Sequence, residues 1–150
     1  MISSIILGHE GHKHFSLADL SHFLGILHPI LLHFPIALIV MAVVSEILWR
    51  YTRNPLFDDA ARFMIIAAAL FAIPTVLTGL AFSYGAEYEG ANVSFFEWHR
   101  LLGFFTMSLA IVTAFIRQYK PTVYICSLIL LLVSVTLTGY FGGSLTFGLV

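Results

Sequence analysis

Long unbroken apolar blocks dominate this chain, separated by short polar connections. Four of them, Pro29 to Trp49, Phe63 to Tyr84, Trp98 to Ile116 and Thr122 to Phe141, each approach the length of a membrane span. A helix needs roughly 20 residues to cross a hydrocarbon layer ~30 Å thick. Strict two-residue alternation is missing, which argues against strands. Pro121 stands just before the fourth block, where a first helical residue tolerates proline because its amide would be unpaired anyway. Short connections predict antiparallel neighbours, so the expected fold is an all-α integral membrane protein, a four-transmembrane-helix up-down bundle.

Ahead of the first block, residues 16–27 have an amphipathic pattern. Ser16 with Asp19 forms a capping pair, and Leu17, Leu20, Leu24 and Leu27 share a face. Two placements follow: a short helix lying along the membrane surface, or extra turns stacked on the first span. The N-terminus lacks a positive segment and its apolar run is short, so it does not read as a signal peptide. One domain is expected over 1–150, with 1–27 as an outer-face tail and amphipathic helix and 28–150 as the bundle.

Composition strengthens the membrane reading. Of 150 residues, 59% are hydrophobic and 10% charged, against about 45–50% and about 25% in soluble domains. The mean hydropathy is +0.95. A lipid bilayer is therefore the first partner. The net charge of −1 and the absence of a basic stripe exclude nucleic acid as a partner. The single cysteine, Cys126, excludes an intrachain disulfide. Arg50, Arg53, Arg62, Arg117 and Lys120 flank the first and third loops, while Lys13 and Arg100 lie opposite. The positive-inside rule then sets both termini outside the cytoplasm.

The middle of each span is free of ionisable residues, which disfavours active ion transport. Glu46 comes nearest, and an i,i+4 pair with Arg50 snorkelling to the surface accounts for it. No nucleophile–base–acid set appears, so a stand-alone enzyme is less expected than an electron-transfer or accessory subunit. The spacings Gly139 to Gly143 and Ala81 to Gly85 predict close helix packing. The hydroxyls of Thr75, Thr78, Ser134, Thr136 and Thr138 read as bundle hydrogen bonds. An internal echo, Leu77-Thr78-Gly79 and Leu137-Thr138-Gly139, suggests two related helical hairpins.

Histidine carries the candidate chemistry. All seven, at positions 9, 12, 14, 22, 28, 33 and 99, fall on the same predicted side of the membrane, and imidazole suits haem iron, copper and zinc. On an ideal helix His28 and His33 lie about 140° apart, so both face the bundle axis only if the backbone bends. Pro35 supplies a reason to bend, because it frees the carbonyl of Leu31, and Pro74 does the same for Leu70. His99 opens the third span at the depth of His28, with His33 about 7 Å deeper. A b-type haem with two axial histidines is one reading: His99 plus His28 or His33, lined by Phe34, Phe95, Phe96, Trp98, Phe104 and Tyr140. The bland alternative has these histidines bonding freed carbonyls, headgroups or water. Separately, His9, His12 and His14 around Glu10 form a candidate copper or zinc site.

His28-Pro29-Ile30-Leu31-Leu32-His33-Phe34-Pro35-Ile36 closely resembles the HPxxxHFPI signature of an uncharacterised bacterial membrane family, domain of unknown function 2231. His99-Arg100-Leu101-Leu102-Gly103 resembles its HxxLG element, and Leu137 through Gly143 resembles its LTGHxGG segment. The resemblance spans roughly residues 24–148. It implies a four-helix membrane domain, and relatives that look joined to cytochrome c or iron–sulfur modules favour a redox partner. Tyr140 stands where many relatives carry histidine, and tyrosine ligates haem iron less commonly.

The expectation is thus a multi-pass protein of the bacterial inner membrane that carries haem b and transfers electrons to a cytochrome or other redox protein. The alternatives are a non-enzymatic accessory subunit of a membrane complex or homo-oligomer, and an outer-face copper or zinc protein.

Overall fold

The computed structural model describes residues 17–84, 89–117 and 121–148. They form six α-helices: α1 (Leu17–Ile26), α2 (His28–Leu31), α3 (His33–Thr52), α4 (Pro55–Phe82), α5 (Ala91–Ile116) and α6 (Pro121–Phe147). No strand occurs among the described residues.

The first three helices follow one continuous path. Leu27 and Leu32, which separate them, both keep right-handed helical dihedrals. Each interruption comes just upstream of a proline, Pro29 and Pro35, whose missing amide leaves one carbonyl without its i+4 partner. Asp19–Thr52 therefore counts as one apolar helical run of 34 residues. Of the two placements open for the N-terminal amphipathic segment, the structure shows the stacked one, with α1 packed on α4. Leu20 and Leu24 are exposed, and the closest approach comes at Gly25. A Cβ there would lie 2.7 Å from the Cα of Phe82, a distance only glycine permits.

The spans begin where proline and capping residues direct. Trp49 accepts from the amide of Arg53, which sits at φ 57° and ends α3 in the left-handed conformation. Asn54 then accepts from the Leu56 amide, and Pro55 opens α4. Pro121 opens α6, as its sequence position predicts. α4 and α6 run a turn or more beyond the apolar blocks read from sequence, α6 reaching Phe147 instead of Phe141.

Around the bundle, α3 packs on α4, α4 on α5, α5 on α6 and α6 on α3, which closes a ring. Its core is made of small and medium residues: Ile39, Ala42, Ile65, Ala68, Ala110, Leu128 and Leu131 are buried. Large side chains such as Leu70, Phe63, Ile47 and Phe115 are instead exposed. That inversion suits a bilayer, where lipid solvates large apolar groups and small residues let helices approach. Four helices are long and apolar enough to cross a membrane.

Candidate functional site

The first turn of α2 and the third turn of α5 lie at the same end of the bundle, and they bring His28 and His99 together. Their ring centroids are 6.3 Å apart and their planes cross at 82°. His28 Nδ1 lies 2.8 Å from the carbonyl oxygen of Thr75 in α4. His99 Nδ1 lies 2.9 Å from the carbonyl oxygen of Thr138 in α6. A carbonyl only accepts, so in both rings Nδ1 carries the proton and donates. In the neutral imidazole Nε2 is then a bare lone pair, the arrangement found in metal-ligating histidines.

Both rings rest on glycine. A Cβ on Gly79 would stand 2.9 Å from His28 Cε1, and one on Gly142 would stand 2.7 Å from His99 Cε1. Each hairpin thus contains the same device: a histidine from one helix, and from the next a threonine carbonyl with glycine four residues later. The equivalence pairs Thr75 and Gly79 with Thr138 and Gly142. The Leu-Thr-Gly echo is therefore three residues out of register, close to one helical turn. The close approach predicted for Gly139 and Gly143 is also corrected, since a Cβ on either would meet open space.

The other sequence candidates separate from this pair. His33, at the start of α3, is exposed. α3 continues helical through Pro35. Tyr140 is 60% exposed and lies against its neighbour Phe141. Of the expected aromatic lining, Phe34 stacks on Phe71 at 4.9 Å, and Phe95 and Trp98 pack on Phe141. Phe104 is exposed, and Arg100 lies over Phe96. Phe82, which sequence reading did not select, stacks beside His28 with centroids 6.4 Å apart. His9, His12 and His14 lie outside the described residues, as does Ser16 of the proposed capping pair. Among the described residues no group of three or more histidine, cysteine or acidic side chains is placed to hold a metal ion.

Hydroxyl groups support the pair from one side. Thr106 Oγ1 is 2.6 Å from Ser134 Oγ and 3.1 Å from Thr138 Oγ1, linking α5 to α6 just below His99. Thr75, Thr78 and Thr136 instead donate to carbonyls one turn back in their own helices.

The opposite end holds a second polar centre, which the sequence reading underestimated. Glu46 does pair with Arg50 at 3.0 Å, but its side chain is only 8% exposed, so it is not snorkelling. It faces into the bundle, where Arg117 from α5 reaches its second oxygen at 3.4 Å. Arg117 also donates to Tyr124 Oη at 2.6 Å, to the Asp58 carbonyl at 2.9 Å and to the Asp58 carboxylate. One guanidinium thus ties α5 to α3, α4 and α6. The i,i+4 spacing to Arg50 disguised this, because a partner 71 positions away leaves no local mark.

Fold and polar ends together define a polytopic four-helix membrane protein with a histidine pair at one end and an arginine-centred ion network at the other. Within that class, the chain belongs to the family described as "Predicted membrane protein (DUF2231)", whose model matches residues 26–149. No curated protein and no solved structure matches the chain.

Proposed function

We propose that the chain is an electron-transfer module of a bacterial inner membrane that holds haem b between His28 and His99, at an end facing away from the cytoplasm. The observation that carries this is the spacing of two imidazoles whose Nδ1 atoms are already engaged. His28 and His99 are the residues that would hold the group, each through the Nε2 left free by its Nδ1 bond to a threonine carbonyl. Their ring centroids are 6.3 Å apart. The donor set fits a bis-histidine haem, and bound iron would supply one-electron chemistry there. The chain's own part is to fix each ring's tautomer and tilt through Thr75 and Thr138, and to leave room beneath the rings at Gly79 and Gly142. A cytochrome or comparable redox protein on the same side is the partner this reading requires. His33 and Tyr140 take no part in it.

The test is an oxidised and dithionite-reduced absorption spectrum of detergent-purified, haem-supplemented protein, with metal analysis of the same sample. A Soret band with sharp reduced α/β bands is expected. His28→Ala or His99→Ala should remove it, while His33→Ala retains it. A Soret band surviving either of the first two substitutions rejects the assignment.

A second reading rests on the same contacts. Ring, carbonyl and glycine form a complete clamp between helices without any ligand, as an accessory subunit of a membrane complex would need. It predicts colourless protein without stoichiometric metal, and a larger partner that co-purifies regardless of His99→Ala. Copper or zinc at His9, His12 and His14 is a separate proposal. Deleting residues 9–14 would then remove bound metal and leave the bundle intact.

A further inference from the structure

A groove of about 640 Å³ opens between α4 and α5 toward the arginine-rich end of the bundle. Its deep walls are apolar, with Ile66 and Ile73 on α4 facing Ile111 and Phe115 on α5. Its mouth carries Arg50, Arg62 and Arg117 together with Glu46 and Asp58. The two carboxylates are already matched, by Arg50 and Arg117. Arg62 is exposed and has no hydrogen-bond or ion-pair partner among the described residues, so the mouth has one unsatisfied positive charge. Trp49, half-buried at the same level, is a side chain typical of the headgroup boundary.

We propose that this groove is a binding site for one anionic phospholipid, with its phosphate at Arg62 and its acyl chains along the α4–α5 walls. A groove between transmembrane helices that is apolar in depth and basic at the mouth matches both halves of such a lipid. Its volume lies in the range of small-molecule sites, sufficient for a headgroup and the upper part of the chains. A zwitterionic lipid would bring its own cation against Arg62, and a free anion would leave the apolar walls without a function. The site is separate from the histidine pair at the far end of the bundle and does not depend on its loading.

The experiment is native mass spectrometry of the full chain in detergent, titrated with dioleoyl phosphatidylglycerol or dioleoyl phosphatidylcholine. One phosphatidylglycerol should be retained preferentially, and millimolar inorganic phosphate should not displace it. Arg62→Gln should weaken retention roughly five-fold, the effect of one basic residue near an anionic surface. Because Arg62 is exposed and has no partner among the described residues, its replacement leaves the fold intact. Arg53→Asn is the matched control. It removes a charge from the same end outside the groove, and asparagine tolerates the left-handed backbone found there. It should leave retention unchanged. Ile73→Trp, which fills the apolar part, should reduce retention. Equal binding of the two lipids, equal effects of Arg62→Gln and Arg53→Asn, undiminished retention in Ile73→Trp, or displacement by phosphate would each overturn the proposal.

Discussion

At the scale of single residues, the glycines sort by what lies above them. Gly142 is covered by the His99 ring, whereas Gly143 and Gly139 on the same helix face open space. Alanine at position 142 forces the ring to move, since Cε1 and Nδ1 would lie 2.7 and 2.9 Å from the new methyl. The ring is the far end of a side chain, so it gives way before the helix does and loses its bond to Thr138. We expect Gly142→Ala to cost about 1 kcal/mol, the usual net worth of one hydrogen bond. Gly143→Ala and Gly139→Ala should be neutral or stabilising by less than about 1 kcal/mol, through helix propensity. Thermal unfolding in detergent measures all three, and equal destabilisation by 142 and 143 would contradict the placement of His99. This contrast was not legible in the sequence, where Gly139-x-x-x-Gly143 looks like the packing motif. Which of several glycines faces a neighbour depends on helix rotation, and tertiary contact sets that rotation. His28 and His99 were legible as a pair because chain depth alone brings them level.

At the scale of elements, four spans and their starts were readable because a membrane enforces length and apolarity block by block. The long-range tie at Arg117 was not. Its partners come from three other helices, and nothing in the sequence around residue 117 distinguishes it from an orientation-setting loop cation. The structure makes it the fastener of one bundle end. Arg117 and Glu46 are 12% and 8% exposed, so removing the cation leaves a buried carboxylate with Arg50 alone. Arg117→Met should therefore cost about 3 kcal/mol, in the range for breaking a buried pair from one side. Asp58 is 47% exposed on its side chain, and water screens its pairing, so Asp58→Asn should cost less than about 1 kcal/mol. Unfolding midpoints of the two variants test the ranking; the reverse order would mean that the Asp58 contact, and not Glu46, holds the end together.

At the scale of the whole molecule, the two ends are fastened by different chemistry. Imidazole–carbonyl contacts hold one end, and a guanidinium–carboxylate network holds the other. Loop cations gather at the second end, and the proposed orientation, which follows the positive-inside rule, puts that end in the cytoplasm. That orientation decides which compartment any redox partner of the histidine pair would have to occupy. It can be read with single cysteines placed in a Cys126→Ala background, a replacement at an exposed position. Glu89 and Asp59 are both exposed and stand at opposite ends, Glu89 just before α5 and Asp59 in the first turns of α4. In intact cells a membrane-impermeant maleimide should label Glu89→Cys directly and Asp59→Cys only after permeabilisation. The opposite pattern would place the histidine pair in the cytoplasm, where a haem at His28 and His99 would have to exchange electrons with a cytoplasmic partner instead.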